Sequence, residues 1–185
     1  MREIEDALER ADRDGFTQEP PKTLKGQIGY LLRQLGSAKA VAEEIGVTAD
    51  SVTRYRRGAR KHPRADVAAK IDAAVRQRWQ PGVRQRRQRQ AADSGGITVE
   101  LRAQIGYRAA IGSTDEPRFR RLTVHLPNYY ARQLFDARRS GAADQMMRQI
   151  VADGLKEVYF QDGGRRASGL YEVELNSIDY IDFEY

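Results

Sequence analysis

Apolar residues recur at helical spacing along the first part of the chain. Residues 2–13 carry Ile4, Ala7, Leu8 and Ala11 on one side, which predicts an amphipathic helix. A second helix begins after Thr23, a suitable N-cap, and ends at Gly36. A further helix is predicted over residues 65–79, and its inward positions are Val67, Ile71, Val75 and Trp79.

Two short helical patterns meet at a glycine within residues 38–57. The inward positions are Val41, Ala42 and Ile45 on the first helix, Val47 at the corner, and Val52 and Tyr55 on the second. Gly46 supplies the backbone conformation of the turn, and the small Ala42 lets the two helices approach. This spacing is typical of a helix-turn-helix, with an ordinary αα-hairpin in a helical core as the alternative.

From residue 97 onward the pattern changes to alternation, which predicts β-strands. The predicted order is a strand from Ile97, a projecting loop at 112–117, a strand at 119–126, helices from Pro127 and over 142–160, and a C-terminal strand from Leu170. The predicted class is therefore α+β. An N-terminal all-α helix-turn-helix domain (residues 1–92) precedes a smaller α+β domain (residues 93–185) with a short antiparallel sheet and two helices.

The charge is distributed unevenly between these halves. Residues 22–90 carry 17 Lys or Arg against 5 Asp or Glu, whereas residues 93–185 carry 12 against 14. The C-terminal strand contains five acids and no base, which is typical of a protected sheet edge or of a docking surface for a basic partner. A basic half favours binding of nucleic acid.

The second motif helix supplies the predicted DNA contacts. Arg54 and Arg57 match guanine edges, because a guanidinium fork fits O6 and N7, although contact with phosphates alone is the alternative. Further positions facing DNA are Thr48, Asp50 and Thr53, with Arg56, Arg60, Lys61 and Arg64 as backbone clamps. An arginine-rich tail over 76–90 is predicted to stay solvated, or to become helical only on a phosphate backbone, through Arg84, Arg86, Arg87 and Arg89.

The sequence lacks the residues that several classes of function require. The chain has no cysteine and two histidines, so we expect neither a thiolate nucleophile nor a metal site. The motifs of phosphate-binding loops, zinc proteases and serine hydrolases are missing. No apolar run is long enough to cross a membrane and the first residues do not resemble a signal peptide, so we expect a cytoplasmic protein.

The segment RRLTVHLP, followed by two predicted helices, offers a second DNA-binding interpretation. Ribbon-helix-helix repressors have this strand-helix-helix order, and Arg121, Thr123 and His125 would then lie on the reading face. We disfavour this interpretation because the strand is expected to lie inside the sheet, between a preceding and a following strand.

Taken together, these segments resemble the telomere-protecting terminal proteins (the Tpg family) of linear actinobacterial chromosomes and plasmids. The resemblance spans nearly the whole chain, with VYFQDGGRRASG and IDYIDFE as its most distinctive segments. Other matching segments are REIEDALERADR, PKTLKGQIGYLLRQ, KAVAEEIGV, VRQRWQP and IGSTDEPRFRRLTVHLP.

The resemblance implies a protein that is covalently attached to the 5′ ends of linear DNA. A side-chain hydroxyl replaces the missing primer 3′-OH, so the last stretch of the 5′-ended strand can be filled in. In this family the hydroxyl belongs to a threonine within a G-[ST]-T-D motif, here Gly112-Ser113-Thr114-Asp115. By this resemblance Thr114 is the primer, and the chain is not an enzyme but a substrate of a DNA polymerase.

The predicted loop suits this role, because a protein primer needs a slim projecting hydroxyl. The polymerase-bound divalent metal would activate that hydroxyl, so the chain needs no cofactor of its own. Asp115 and Glu116 either help to position the metal or are ordinary turn acids. Ser113 is the nearest competing hydroxyl, and Tyr107 is a more distant one.

The resemblance also implies the partners. They are telomeric DNA with its single-stranded 3′ overhang, a telomere-associated protein and a DNA polymerase, and we add self-association as a further contact to test. The expected location is the nucleoid, at chromosome or plasmid ends. A helix-turn-helix transcriptional regulator without covalent chemistry is the main alternative, and a nicking enzyme with a hydroxyl nucleophile is a weaker one.

Overall fold

The computed structural model confirms the α+β class. It describes residues 2–109, 114–165 and 169–185, and for residues 108–109 and 114–117 it describes the backbone alone. The chain forms two compact units, one of residues 16–81 and one that combines Met1–Gly15 with Gly82–Tyr185. This division differs from the predicted boundary at residue 93, and the α+β unit is the larger of the two.

The helical unit contains four α-helices within the described residues: α2 (Leu24–Leu35), α3 (Ala38–Ile45), α4 (Ala49–Arg57) and α5 (Ala65–Arg78). Helix α2 contacts the other three. The predicted caps are present, since the hydroxyl of Thr23 accepts a hydrogen bond from the Gly26 N–H at 3.2 Å and Gly36 ends α2 in a left-handed conformation. Helix α2 therefore begins and ends where its local sequence satisfies free backbone groups.

The turn between α3 and α4 has the predicted helix-turn-helix form. Gly46 adopts φ 70°, which an L side chain rarely tolerates, and the Val47 N–H donates to the Ala42 carbonyl at 2.9 Å. All the predicted inward side chains are buried except Val47, which is partly buried against the same core. Two edge-packed rings, Tyr30 and Trp79, lie 4.9 Å apart at the end of α5.

The α+β unit begins with α1 (Glu3–Asp14) and continues after the helical unit with α6 (Pro81–Gln90). A π-helical turn at Ala91–Gly95 leads into the strands β1 (Ile97–Ala109) and β2 (Thr114–Leu126). Helices α7 (Asn128–Arg139) and α8 (Asp144–Leu155) follow, then a second π-helical turn at Lys156–Phe160 and the strand β3 (Leu170–Glu184). The sequence pattern predicted one helix across residues 142–160, whereas the α-helix is shorter and ends in the second π-helical turn.

The three strands of the described residues form one antiparallel sheet in the order β2-β1-β3. Alternate side chains such as Val99, Leu101, Val124 and Phe183 are buried on one face, against α1, α7 and α8. The opposite face carries charged side chains that pair across strands. Examples are Arg121 with Glu100 at 2.9 Å and Arg102 with Asp179 at 2.6 Å.

The β3 edge of the sheet is covered by cationic side chains. Arg10 donates to the Ile181 carbonyl at 2.6 Å, Arg148 to the Leu175 carbonyl at 3.2 Å, and Lys156 to the Tyr171 carbonyl at 2.9 Å. These bonds satisfy carbonyls that an unpaired edge strand leaves exposed, which favours the interpretation of β3 as a protected edge.

Helix α1 belongs to the α+β unit because both its apolar face and its first turn are bound there. Ile4 and Leu8 are fully buried in the core of the sheet. The Asp144 carboxylate accepts hydrogen bonds from the free N–H groups of Ile4 and Glu5 at 3.0 and 3.1 Å. A cap supplied from 140 residues away could not be read from the local sequence.

The arginine-rich segment is helical, which corrects the expectation of a solvated tail. Pro81 occupies the first position of α6, where its fixed φ is favourable. Arg84 of α6 forms an ion pair of 3.3 Å with Asp12 of α1, and Gln88 donates to the same carboxylate at 3.0 Å. These internal contacts hold the helix without a phosphate backbone.

Candidate nucleic-acid interface

Helix α4 presents one apolar and one polar side. Val52 and Tyr55 are buried in the helical unit. The predicted DNA contacts of this helix lie away from that apolar side or on its flank, with Arg56 as the predicted backbone clamp. They are exposed except for the half-buried Thr53: Thr48, Asp50, Thr53, Arg54, Arg56 and Arg57. The structure thus brings these six positions together on one rigid element.

The N-terminus of α4 is capped from within the turn. The Thr48 hydroxyl accepts a hydrogen bond from the Ser51 N–H at 3.2 Å, as predicted for an N-cap. The Thr53 hydroxyl donates to the Ala49 carbonyl at 3.1 Å. Thr53 would need to break this bond to donate to a base, so it is a weaker candidate for base recognition than the arginines.

The two candidate base-reading arginines differ in their surroundings. The Nε of Arg54 lies 2.8 Å from an oxygen of Asp50 one turn earlier, and both side chains are more than half exposed. This pair orients the Arg54 guanidinium and offsets its charge. Arg56 and Arg57 form no ion pair with the described residues, so their full charge is available to a polyanion.

The segment after α4 adds the predicted backbone clamps. Arg60, Lys61 and Arg64 are exposed between the end of α4 and the start of α5. The Arg60 guanidinium lies 5.7 Å from the centre of the Tyr55 ring, a cation–π distance, and Arg64 pairs with Asp66 at 3.2 Å.

A groove of about 870 Å³ lies between α2 and α4. Lys25 and Arg33 line it from α2, and Arg56 and Arg57 line it from α4. Lys25 and Arg33 were not among the DNA contacts predicted from the sequence. Their spacing was the available signal, because Lys25, Gly29 and Arg33 follow one another at four-residue intervals and so share one helix face, with the glycine leaving the groove open.

The whole helical unit is strongly basic. Residues 16–81 carry 13 Lys or Arg and 6 Asp or Glu, a net charge of +7. Charge of this size on a small unit produces a positive potential that attracts nucleic-acid phosphates.

The four predicted contacts of the arginine-rich segment separate into two groups. The Arg84 side chain is only 16% exposed and pairs with Asp12, and Arg87 donates to the Ala11 carbonyl at 3.1 Å and to the Tyr185 carbonyl. Arg86 and Arg89 are exposed. We therefore withdraw Arg84 and Arg87 as DNA contacts, because their guanidinium groups hold the α+β unit together.

The predicted priming segment lies at the junction of β1 and β2. Gly112 and Ser113 fall outside the described residues. Thr114, Asp115 and Glu116 belong to β2, so the predicted loop at 112–117 was wrong for residues 114–117. The backbone pairs Thr114 with Arg108 and Asp115 with Tyr107, and a proline at position 117 is compatible with an edge strand.

The strand of the ribbon-helix-helix interpretation also differs from expectation. It was expected inside the sheet, but β2 is an edge strand and β1 occupies the centre. Arg121, Thr123 and His125 are exposed on the open face, where Arg121 pairs with Glu100 and the His125 ring lies 3.1 Å from the Thr98 hydroxyl.

Neither a metal centre nor a membrane segment is found in the described part of the chain. Among the side chains that the structure describes, no group of three or more His, Asp or Glu could hold a metal ion. The helices described there all fall short of the length and apolar character needed to span a bilayer.

Comparisons with known proteins give no match. No family model matches the sequence. No curated protein and no solved structure matches the chain either.

Proposed function

We propose that this chain is a terminal protein. It binds telomeric DNA and is linked through the Thr114 hydroxyl to the 5′ end of linear DNA, where it primes end-patching replication and protects the end. The observation that carries the DNA-binding part is the exposed basic side of α4 in a unit of net charge +7. The covalent part rests on the sequence resemblance around Gly112-Ser113-Thr114-Asp115.

The proposed DNA-binding role depends on the exposed guanidinium groups of α4, which can contact bases or phosphates. Arg57 can form a bidentate contact with a guanine or bind a phosphate, and Asp50 limits Arg54 to one orientation. Lys25, Arg33 and Arg56 border the adjoining groove and suit phosphate contacts. Replacing Arg57 should cost about 1–3 kcal/mol of discrimination if it reads a base.

Thr114 is the priming residue in this proposal. Its Oγ1 attacks the α-phosphorus of a deoxynucleoside triphosphate, a phosphodiester bond forms, diphosphate leaves, and the hydroxyl proton is lost. The polymerase-bound divalent metal supplies the activation, so the chain needs no cofactor of its own. The competing hydroxyl of Tyr107 is less suitable, because its half-buried ring packs against Phe160 with ring centres 6.1 Å apart.

The partners of this proposal are the telomeric 3′ overhang, a telomere-associated protein and a DNA polymerase. The α+β unit, which includes Thr114, is the proposed region of contact with the two proteins. Self-association is a further contact to test, and the proposed location is the cytoplasm, at chromosome or plasmid ends.

The test separates DNA binding from covalent linkage. The test uses host cells that maintain linear DNA and express wild type, Thr114→Ala, Thr114→Ser or Ser113→Ala. The amount of protein covalently bound to DNA ends is measured after denaturation of the sample. Thr114→Ala should lose the adduct, whereas the other two variants should retain it and all four should bind DNA equally. Loss of the adduct in Ser113→Ala alone would contradict the assignment.

A transcriptional regulator is the second candidate, and one observation favours it. Strand β2 is an edge strand followed directly by α7 and α8, the order that a ribbon-helix-helix dimer requires. This alternative expects a dimer, a footprint on internal promoter DNA and no protein bound to DNA ends. Recovery of the chain from 5′ ends would exclude it as the sole function.

A further inference from the structure

A second basic groove lies within the α+β unit, between α6 and α7. Its volume is about 630 Å³, within the range of ligand-binding clefts. Four arginines line it, together with two aspartates: Arg84, Arg89, Arg132, Arg139, Asp93 and Asp136. The charges of these side chains sum to +2.

Three of the arginines present their guanidinium groups at the surface of the groove. Arg89 is exposed and forms neither a hydrogen bond nor an ion pair with the described residues. Arg132 is about half exposed, donates to the Ala92 carbonyl at 2.8 Å and lies 3.8 Å from Asp93. Arg139 is 68% exposed and pairs with Asp136 one helical turn earlier.

The walls of the groove are fixed by contacts beneath it. Arg84 of α6 and Arg138 of α7 both pair with the buried Asp12, at 3.3 and 2.7 Å. The Asp12 carboxylate of α1 therefore contacts both α6 and α7, the two walls of the groove. Because the helices that carry Arg89 and Arg132 are held in this way, little ordering is needed when an anion binds.

We propose that the α6–α7 groove binds the phosphodiester backbone of DNA and is a second DNA contact, separate from α4. Guanidinium groups bind phosphate oxygens through paired N–H donors. The groove has three guanidinium groups at its surface. The groove reads no sequence, since its ligand is the backbone. Two binding modules on one chain raise the overall affinity beyond that of either. The proposal rests on the DNA-binding part of the proposed function.

The test compares full-length variants that lose the same charge. Arg89→Gln/Arg132→Gln removes two groove cations. The matched control Arg2→Gln/Arg10→Gln removes two cations of the same unit that pair with Glu5 and Asp182 and do not line the groove. Binding to a labelled duplex of arbitrary sequence is measured at several salt concentrations. The slope of log K against log salt is negative. Its magnitude should fall by about 1.8 for the groove variant, at about 0.9 per lost phosphate contact, and stay unchanged for the control.

Three results would overturn the proposal. An unchanged slope in the groove variant is the first. The second is that a deoxynucleoside triphosphate competes with the duplex for the wild type but not for the groove variant, while the salt slope is unchanged. That result would assign the groove to a free nucleotide. The third is that the groove variant loses binding to poly-L-glutamate and keeps binding to the duplex. That result would assign the groove to an acidic peptide. If the double variant unfolds, Arg89→Gln alone decides, because Arg89 forms no hydrogen bond or ion pair with the described residues. Its loss should lower the magnitude of the slope by about 0.9.

A variant of the helical unit separates this proposal from the proposed function. Arg56→Gln/Arg57→Gln should weaken duplex binding in either case. If only this variant loses affinity, the groove proposal falls and the DNA-binding role of α4 stands. If wild-type protein does not bind duplex DNA, the DNA-binding part of the proposed function falls, and with it the groove.

Discussion

At the scale of single residues, Asp12 of α1 links α6, α7 and Tyr185. It is 2% exposed, and its carboxylate pairs with Arg84 and Arg138 and accepts hydrogen bonds from Gln88 and from the Tyr185 hydroxyl. Two donors from α6, one from α7 and one from the residue after β3 thus meet on one buried anion. In the sequence, Asp12 is one of several acids in α1, and no local feature identifies its role.

Replacing Asp12 by Asn should destabilise the protein by about 3–5 kcal/mol, because two arginines would lose their buried counter-charge. Chemical denaturation measures this loss. Asp182→Asn is the control, since Asp182 pairs with Arg10 at the surface and its loss should cost at most about 1 kcal/mol. Equal, small effects of the two substitutions would show that the Asp12 cluster is not a stabilising centre.

Two neighbouring tyrosines share the carboxylate of Glu157. Burial, and then hydrogen bonding to Glu157, raises the pKa of Tyr129 to about 12, and the same causes raise the pKa of Tyr130 further. The folded state therefore holds these phenol protons more tightly than the unfolded state does. The corresponding stability is fully present below the ordinary tyrosine pKa of 10.0 and is lost as the pH rises through the folded-state pKa.

An alkaline titration followed by tyrosinate absorbance tests this prediction. Tyr129 and Tyr130 should ionise only above the ordinary tyrosine pKa of 10.0, or on unfolding. Glu157→Gln should lower the pKa of Tyr129, although burial still keeps it above the ordinary value. A titration curve identical in wild type and variant would contradict the assigned role of Glu157.

At the scale of elements, α4 was predicted well because its signals are local. Thr48 caps it, Gly46 shapes the preceding turn, and apolar residues set its buried side. The arginine-rich α6 was misjudged for the opposite reason. Its stabilising partners, Asp12 and the carbonyls of Ala11 and Tyr185, lie in α1 and at the end of the described chain.

The cap of α4 gives a test at this scale. Thr48→Ala removes the acceptor of the Ser51 N–H and should cost about 1 kcal/mol of stability, whereas Thr48→Ser should keep most of it. Thermal unfolding of the two variants beside wild type measures the difference. An equal loss in both would mean that the methyl group of Thr48, and not its hydroxyl, provides the stabilisation.

The strands show a similar limit of local signals. The segment at 114–117 contains Thr, Asp, Glu and Pro, which favour a loop, yet pairing with β1 extends the strand back to Thr114. Alternation in β1, β2 and β3 predicted strands but not their order. The central position of β1 depends on its pairing with β2 on one side and β3 on the other, and alternation within a strand does not specify its partners.

At the scale of the whole molecule, the chain leaves the α+β unit after α1 and returns to it at α6. A sequence read in order assigns α1 to the N-terminal domain, since nothing local shows that its apolar face covers a sheet built much later. The basic character of the helical unit was predictable from charge counts alone. The groove between α6 and α7 was not, because Arg84 and Arg89 lie more than 40 residues before Arg132 and Arg139 in the chain.

Mass spectrometry of the linked peptide is the most direct test of the proposed attachment of DNA to Thr114. Protein recovered from the ends of linear DNA is digested with nuclease and protease, and the nucleotide-bearing residue is mapped. We expect a nucleotide joined by a phosphodiester bond to the Thr114 oxygen. A nucleotide on Ser113 or Tyr107, or peptides from DNA ends that carry none, would contradict it.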